Sequence, residues 1–214
     1  MNASEIEVRA RVIVLAGPSG AGKSRLAERL GLPILRLDDF YKSGDDPTLP
    51  TIDHGANTGL TDWDHPDSWL LDDALATLEQ LCREGSAEVP VYEIAQNARC
   101  GSRVLDLGGS GFFVAEGIFA PEVVAGCADR GLLAAAYCIR QHRLVTFWRR
   151  LTRDLRERRK PPLVLLRRGW ALLRDQDRVV AHAVARGCRP VTPDEAYAAV
   201  RRLIISSPGR RSPA

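Results

Sequence analysis

The chain has 214 residues, and 45% of them are hydrophobic, which is enough to bury one sizeable core in a single α/β domain. Its five cysteines are scattered and include no Cys-x-x-Cys pair, which argues against a zinc site or a disulfide framework and favours a cytoplasmic location. No apolar stretch approaches the roughly 20 residues that a transmembrane helix needs, so we expect no membrane segment.

Apolar runs alternate with helical patterns along the chain. The predicted strands are Val12–Ala16, Ile34–Asp38, Val89–Tyr92, Phe112–Glu116 and Ala134–Ile139. The predicted helices cover Lys23–Leu30, Asp67–Glu84, Leu144–Arg158, Val164–Ala185 and a last helix from Pro193 to about Leu203, which a capping box at Thr192 opens. This order predicts one α/β domain over residues 1–206 with a parallel central sheet of about five strands. The Ser/Pro/Arg-rich residues 207–214 are predicted to be a disordered tail.

The net charge of +3 conceals an uneven distribution. Residues 1–139 contain 21 acidic and 11 basic residues, whereas residues 140–189 contain 4 acidic and 15 basic ones. Arginines in such a segment could clamp phosphates, contact a nucleic-acid backbone or simply solvate helix faces. The charge pattern alone leaves these three alternatives open.

The segment Gly17–Ser24 reads GPSGAGKS and directly follows the first predicted strand. A strand that feeds such a loop and then a helix is the context of a phosphate-binding P-loop, whose backbone N–H groups converge on a phosphate. An ordinary glycine-rich turn would not need the Lys23-Ser24 pair. We therefore predict ATP and Mg²⁺ as cofactors, with Lys23 on the β- and γ-phosphates and Ser24 on the metal. The predicted cofactor-binding residues are Gly17, Ser19, Gly20, Ala21, Gly22, Lys23, Ser24 and Arg25.

Carboxylates stand at the ends of two further predicted strands. Asp38 and Asp39 follow the second strand, and Glu116 ends the strand that begins at Phe112. Ligands of open parallel sheets bind beyond the carboxyl ends of the strands, so these acids face the same crevice as the P-loop. They are candidates for a proton acceptor and for metal binding, with Ser24, Asp38 and Glu116 as the metal set. A solvated Asp-Asp turn and a helix-capping Glu are the plainer alternatives.

The motifs GPSGAGKS, LDDFY, DWDHPDSW, VPVYE, AEGIF and RRLTRDLRER follow one another over roughly residues 11–160. In this order and spacing they resemble the uridine kinase family of P-loop nucleoside kinases, which is related to phosphoribulokinase and pantothenate kinase. The resemblance implies a three-layer P-loop NTPase sandwich with a basic helical lid at about 148–162 and acceptor-binding insertions at about 42–66 and 90–104. It also implies transfer of the γ-phosphate of ATP to the 5′-hydroxyl of uridine or cytidine.

The resemblance also implies roles for individual residues. Asp38 would be the catalytic base beside Lys23, and Asp64 would accept hydrogen bonds from ribose hydroxyls. The lid would contribute Arg153 and Arg158 to catalysis. The implied substrate-binding residues are Asp39, Tyr41, Trp63, Asp64, Tyr92, Asn97, Arg150 and Lys160.

Three positions depart from the family pattern. Asn97 stands where the family usually has a histidine that contacts the pyrimidine, Ile94 replaces an aromatic residue, and Lys160 replaces the last arginine of the lid. The acceptor is therefore a small molecule, expected to be a nucleoside, while pantothenate, a sugar or nicotinamide riboside are alternatives. A nucleotide-dependent protein that binds nucleic acid through the basic segment is the less favoured alternative from another class.

Overall fold

A parallel sheet of five strands in the order β2-β5-β1-β6-β7 forms the centre of the molecule. The structure is a computed structural model and describes residues 7–18, 20–53, 55, 57–140 and 177–207. The strands are β1 (Arg11–Ala16), β2 (Ile34–Arg36), β3 (Ser86–Glu93), β4 (Ala98–Asp106), β5 (Phe112–Glu116), β6 (Leu133–Ile139) and β7 (Arg189–Val191). The helices are α1 (Lys23–Leu30), α2 (Leu71–Glu84), α3 (Val123–Asp129), α4 (177–185) and α5 (Pro193–Ile205).

Helices cover both faces of this sheet, because side chains alternate along its strands. Val12 and Val14 of β1 belong to the core that includes side chains of α2 and α3, whereas Ile13 and Leu15 belong to the core that includes side chains of α1 and α5. All of β1 from Val12 to Ala16 is buried, as expected of a central strand. The predicted three-layer α/β fold with a parallel sheet is confirmed.

The predicted strand at Val89–Tyr92 lies outside the central sheet. It is part of β3, which pairs with β4 in an antiparallel hairpin of its own. The fifth central strand is instead β7, which has only three residues and pairs with β6. Sequence reading missed β7 because three residues are too few for a periodic pattern. It missed β4 because most of that strand is exposed.

The carboxyl ends of the parallel strands lie at one edge of the sheet, so the segments that follow β1, β2 and β5 meet there. After β2 the chain enters a short 3₁₀ turn at Leu37–Phe40, so that Asp38 lies in this turn rather than in a strand. A second 3₁₀ turn at Pro66–Ser68 delays the start of α2 to Leu71. The predicted capping box is present at Thr192, and its helix extends to Ile205.

The two predicted insertions differ in structure. Among the described residues of 42–66, Thr51 and Thr61 form an isolated bridge, and residues 90–104 make up most of the β3–β4 hairpin. The predicted lid at 148–162 and the tail beyond 207 lie outside the described residues. Among the helices that the structure describes, none is long and apolar enough to cross a membrane.

Candidate active site

The loop between β1 and α1 has glycines in conformations that only glycine accepts easily. Gly17 has φ 130°, and a Cβ atom there would collide with the carbonyl oxygen of Ile139 on the neighbouring strand. Gly22 caps α1 in the left-handed region, with φ 98°. The loop therefore depends on its glycines to approach β6 and to present the N-terminus of α1, where backbone N–H groups attract anions.

Lys23 is the first residue of α1, and its side chain turns back over the loop. Its ammonium group donates to the carbonyl oxygen of Gly17 at 2.7 Å and to that of Pro18 at 3.3 Å. Of the other predicted cofactor-binding residues, Ala21 is buried and Arg25 is exposed, while Ser19 lies outside the described residues. The ammonium group is therefore held at the loop, where a phosphate would replace these carbonyl contacts by stronger charged ones.

Ser24 and Glu116 meet although they are 92 residues apart. The Ser24 hydroxyl donates to Glu116 Oε1 over 3.0 Å. Burial raises the pKa of Glu116, while Lys23 lowers it and Asp38 raises it. A hydroxyl and a carboxylate are the hard oxygen donors that Mg²⁺ prefers, and Mg²⁺ usually takes its other ligands from water and phosphate. The pair therefore fits a magnesium ion that arrives with a nucleotide. Among the described residues, no three His, Cys, Asp or Glu side chains are grouped so that they could hold a metal ion by themselves.

Asp38 lies beside the turn that follows β5. Its Oδ1 atom accepts a hydrogen bond from the backbone N–H of Ile118 at 2.9 Å. A Cβ atom on Gly117 would lie 2.7 Å from the same oxygen and 2.9 Å from Leu37 Cβ, so only glycine leaves room for the carboxylate. Asp38 is exposed, and its charge acts on Glu116 and on Tyr41. Asp38 therefore adjoins both the Ser24–Glu116 pair and Tyr41.

Asp39 has a different environment from its neighbour. Its carboxylate interacts with Arg36 and Arg103 and accepts a backbone hydrogen bond from Tyr92 of β3. Burial raises the pKa of Asp39, and these three partners lower it in part. The side chains of the two adjacent acids thus contact different elements: Asp38 contacts the turn after β5, and Asp39 contacts the β3–β4 hairpin.

Tyr41 is the centre of an aromatic cluster next to Asp38. Its ring centroid lies 5.8 Å from that of Trp63, 5.7 Å from Tyr92 and 5.6 Å from Phe119, and its hydroxyl donates to the Trp63 carbonyl oxygen. Burial, followed by the charges of Asp38 and Asp64, raises the pKa of Tyr41. The phenol therefore stays protonated, within the electrostatic influence of two carboxylates.

Asp64 and Asn97 are both exposed. The backbone N–H of Asp64 donates to Asp62 Oδ1 at 3.1 Å, which shapes the turn before Pro66. Asn97 lies in the β3–β4 turn with φ 48°, and its carbonyl oxygen accepts from the N–H of Gly44 at 2.6 Å. Asparagine tolerates this left-handed conformation well, so the backbone conformation alone explains an asparagine at position 97.

Several residues of the site were missed by sequence reading. Arg99 bridges two elements, because its Nε atom donates to the Tyr41 carbonyl oxygen at 3.2 Å and its Nη atoms contact Asp73 of α2. Phe119 completes the aromatic cluster, and Gly117 makes room for Asp38. The AEGIF motif was the available signal for Gly117 and Phe119, whereas nothing in the sequence marks Arg99. Arg150, Arg153, Arg158 and Lys160 lie outside the described residues.

We expect Gly117→Ala to reduce turnover in phosphoryl transfer by roughly 10–100-fold, because its Cβ atom would push Asp38 or the turn from its position and misplaced catalytic groups lose rates of this order. Steady-state kinetics measure the effect. Gly126→Ala is the matched control: its Cβ atom would meet the flexible end of Leu75 at 2.8 Å, away from the site. An equal loss in both variants would contradict a specific need for space beside Asp38.

Comparison with known proteins agrees with this geometry. No protein-family profile matches the chain. A uridine kinase of Lactobacillus johnsonii is 26% identical over 156 residues, which cover 69% of this chain and 69% of that protein. The chain is a distant homologue of the uridine kinases. This distant homology agrees with the P-loop and the parallel sheet and supports a P-loop kinase.

Two further comparisons bear on the fold and on the extent of the match. The inorganic pyrophosphatase TTM2 of Arabidopsis thaliana is 30% identical over 121 residues, which are 51% of this chain but only 15% of that protein. A solved structure from Silicibacter sp. TM1040, assigned as a fructose transport system kinase, aligns over 90% of this chain and 91% of its own with a TM-score of 0.55. Since the identity is 14%, this likeness establishes the fold and leaves the acceptor open.

Proposed function

We propose that the chain transfers the γ-phosphoryl group of ATP to the 5′-hydroxyl of a nucleoside, with uridine and cytidine as the first candidates. The observation that carries this proposal is the position of Asp38, which adjoins both the Ser24–Glu116 pair and Tyr41 of the aromatic cluster. A base at this point can reach a hydroxyl on the acceptor side while the phosphate lies on the other. Bound Mg²⁺ would neutralise phosphate charge, with Ser24 and Glu116 as its protein contacts.

The protein groups would divide the reaction between them. Asp38 would accept the proton of the acceptor hydroxyl while the hydroxyl oxygen bonds to the γ-phosphorus. The bond between the γ-phosphorus and the oxygen that bridges it to the β-phosphate would break, and ADP would leave. Lys23 offsets the negative charge on the transferred group. The rings of Trp63, Tyr41 and Tyr92 offer apolar surface for a planar base, and Asp64 is the proposed acceptor for ribose hydroxyls. The basic residues Arg150, Arg153, Arg158 and Lys160 are proposed to close on ATP.

The acceptor itself is best found by measuring ADP release across a panel of nucleosides, sugars and vitamins at fixed ATP and Mg²⁺. Transfer to uridine or cytidine well above the rest would support the proposal. Transfer only to pantothenate, a sugar or nicotinamide riboside would replace the nucleoside by that acceptor. Strong salt-dependent binding of RNA or DNA without phosphoryl transfer would support the nucleic-acid alternative instead.

Asn97 offers a separate test of whether the acceptor is a pyrimidine nucleoside. This asparagine occupies the position of the family's base-contacting histidine, and the left-handed turn accounts for it without a ligand. If Asn97 still reaches the base, Asn97→His should shift kcat/KM toward uridine and cytidine by roughly tenfold, the value of one added hydrogen bond to a substrate. The ratio of kcat/KM between uridine and the best other acceptor measures the shift. An unchanged ratio would place Asn97 outside the base pocket.

A further inference from the structure

A carboxylate outside the proposed site, with a mostly buried side chain, has two basic partners from a distant part of the chain. Glu122 ends the 3₁₀ turn Ala120–Glu122, and its side chain is only 8% exposed. Its Oε1 atom lies 2.6 Å from His182 Nε2, and its Oε2 atom lies 2.9 Å from Arg186 Nη2. A carboxylate this buried is costly unless it is paired, and the three side chains form a connected group that we call the Glu122 clamp.

The segment that Glu122 ends carries contacts to three parts of the proposed site. It begins at Glu116, which accepts from Ser24, and continues to Ile118, whose N–H donates to Asp38. Phe119 follows, with its ring 5.6 Å from those of both Tyr41 and Trp69. The N–H of Glu122 then donates to the Phe119 carbonyl oxygen at 3.0 Å, which closes the turn. A shift of Glu122 would therefore be transmitted directly to the metal, base and acceptor contacts.

The other half of the clamp comes from the helix that ends the basic segment. Within α4 and the turn after it, His182 and Arg186 lie four residues apart and so on the same helical face. Within the described part of α4, Ala183 is fully buried and Val180 packs partly buried against the core. The contacts of His182 and Arg186 with Glu122 add to these apolar contacts and join the helix to the turn.

We propose that Glu122, His182 and Arg186 are positioning residues that hold the Glu116–Phe119 turn in its working geometry. This role rests on the proposed phosphoryl transfer, because the turn matters through Glu116, Asp38 and Phe119. A purely stabilising role would be served as well by apolar side chains, since buried ion pairs often add little net stability. The clamp instead couples the end of the basic segment to the turn beside the metal and the base.

The first test is amide hydrogen exchange in the ligand-free protein. We expect exchange at 117–122 to speed up by roughly tenfold or more in Glu122→Gln and in Arg186→Gln, because the turn opens locally when its anchor is weakened. Arg186 is half exposed, so its variant avoids the folding risk of a change at the buried carboxylate. Arg201→Gln on α5 removes an equal charge from an exposed position and should leave exchange at 117–122 unchanged.

The second test measures turnover on the best acceptor, corrected for folded protein. Both clamp variants should lose roughly five- to fiftyfold in kcat and need more Mg²⁺ for half-maximal turnover, with the KM for ATP little changed. If Arg186 acts through Glu122, the double variant Glu122→Gln with Arg186→Gln should be no worse than Glu122→Gln alone. His182→Ala should give a smaller effect of the same kind.

The outcomes separate the clamp from the proposed function. Unchanged exchange in both variants would overturn the clamp, as would faster exchange combined with normal kcat and normal Mg²⁺ dependence. If the unmodified protein phosphorylates no acceptor, the proposed function fails. The exchange experiment would then decide by itself whether the clamp holds the turn.

Discussion

Replacing Lys23 by alanine should reduce turnover by roughly 10²–10³-fold while the protein stays folded. The expected loss is that of removing one preorganised charge from a developing transition state in a site of low dielectric. The ammonium group donates to the backbone carbonyl oxygens of Gly17 and Pro18, which hold it at the loop where a phosphate would bind. Steady-state kinetics at saturating ATP and acceptor measure the effect.

The control for this variant is Arg11→Gln, which also removes one positive charge. Arg11 is exposed at the beginning of β1, whereas Lys23 follows the end of that strand, so the two charges lie at opposite edges of the sheet. Circular dichroism and thermal unfolding should find both variants folded. Normal turnover in Lys23→Ala would contradict the proposed kinase activity. An equal loss of turnover in Arg11→Gln would show that the effect comes from the change in net charge.

The parts of the fold that were predicted from the sequence depend on neighbours in the chain. The first helix was predicted at Lys23–Leu30 and is found there, because Gly22 and Gly31 define its ends locally. The strand Phe112–Glu116 was predicted with the same bounds, because a continuous apolar run is typical of a buried strand. Which strands share a sheet is a matter of long-range pairing, and there the β3–β4 hairpin and the short β7 escaped prediction.

The candidate site follows the same division. The P-loop was predictable from eight consecutive residues, and the strand-end acids from the general geometry of parallel sheets. The hydrogen bond between Ile118 and Asp38 joins residues 80 apart, and the contact between His182 and Glu122 joins residues 60 apart. Such contacts leave no periodic trace in the sequence. The sequence likewise does not distinguish Asp38 from Asp39, because the two residues are of the same type and differ only in the elements that they contact.

That difference leads to the second large effect: Asp38→Asn should reduce kcat by roughly 10²–10⁴-fold, whereas Asp39→Asn should reduce it far less. Chemistry alone would not rank the two acids this way, because burial raises the pKa of Asp39 and a raised pKa suits a general base. The position of each acid favours Asp38, because it accepts from the Ile118 N–H in the turn after Glu116, whereas Asp39 interacts with Tyr92, Arg36 and Arg103.

Both substitutions keep the shape of the side chain, which makes the comparison a clean one. The amide oxygen of an asparagine at 38 can still accept from the Ile118 N–H, so the variant loses basicity and charge but keeps its anchor. At 39 the amide oxygen can still accept the backbone hydrogen bond from Tyr92. Single-turnover kinetics with the best acceptor measure the phosphoryl transfer step for each variant. A larger loss in Asp39→Asn would reverse the assignment and make Asp39 the base, with the acceptor hydroxyl on the hairpin side of the turn.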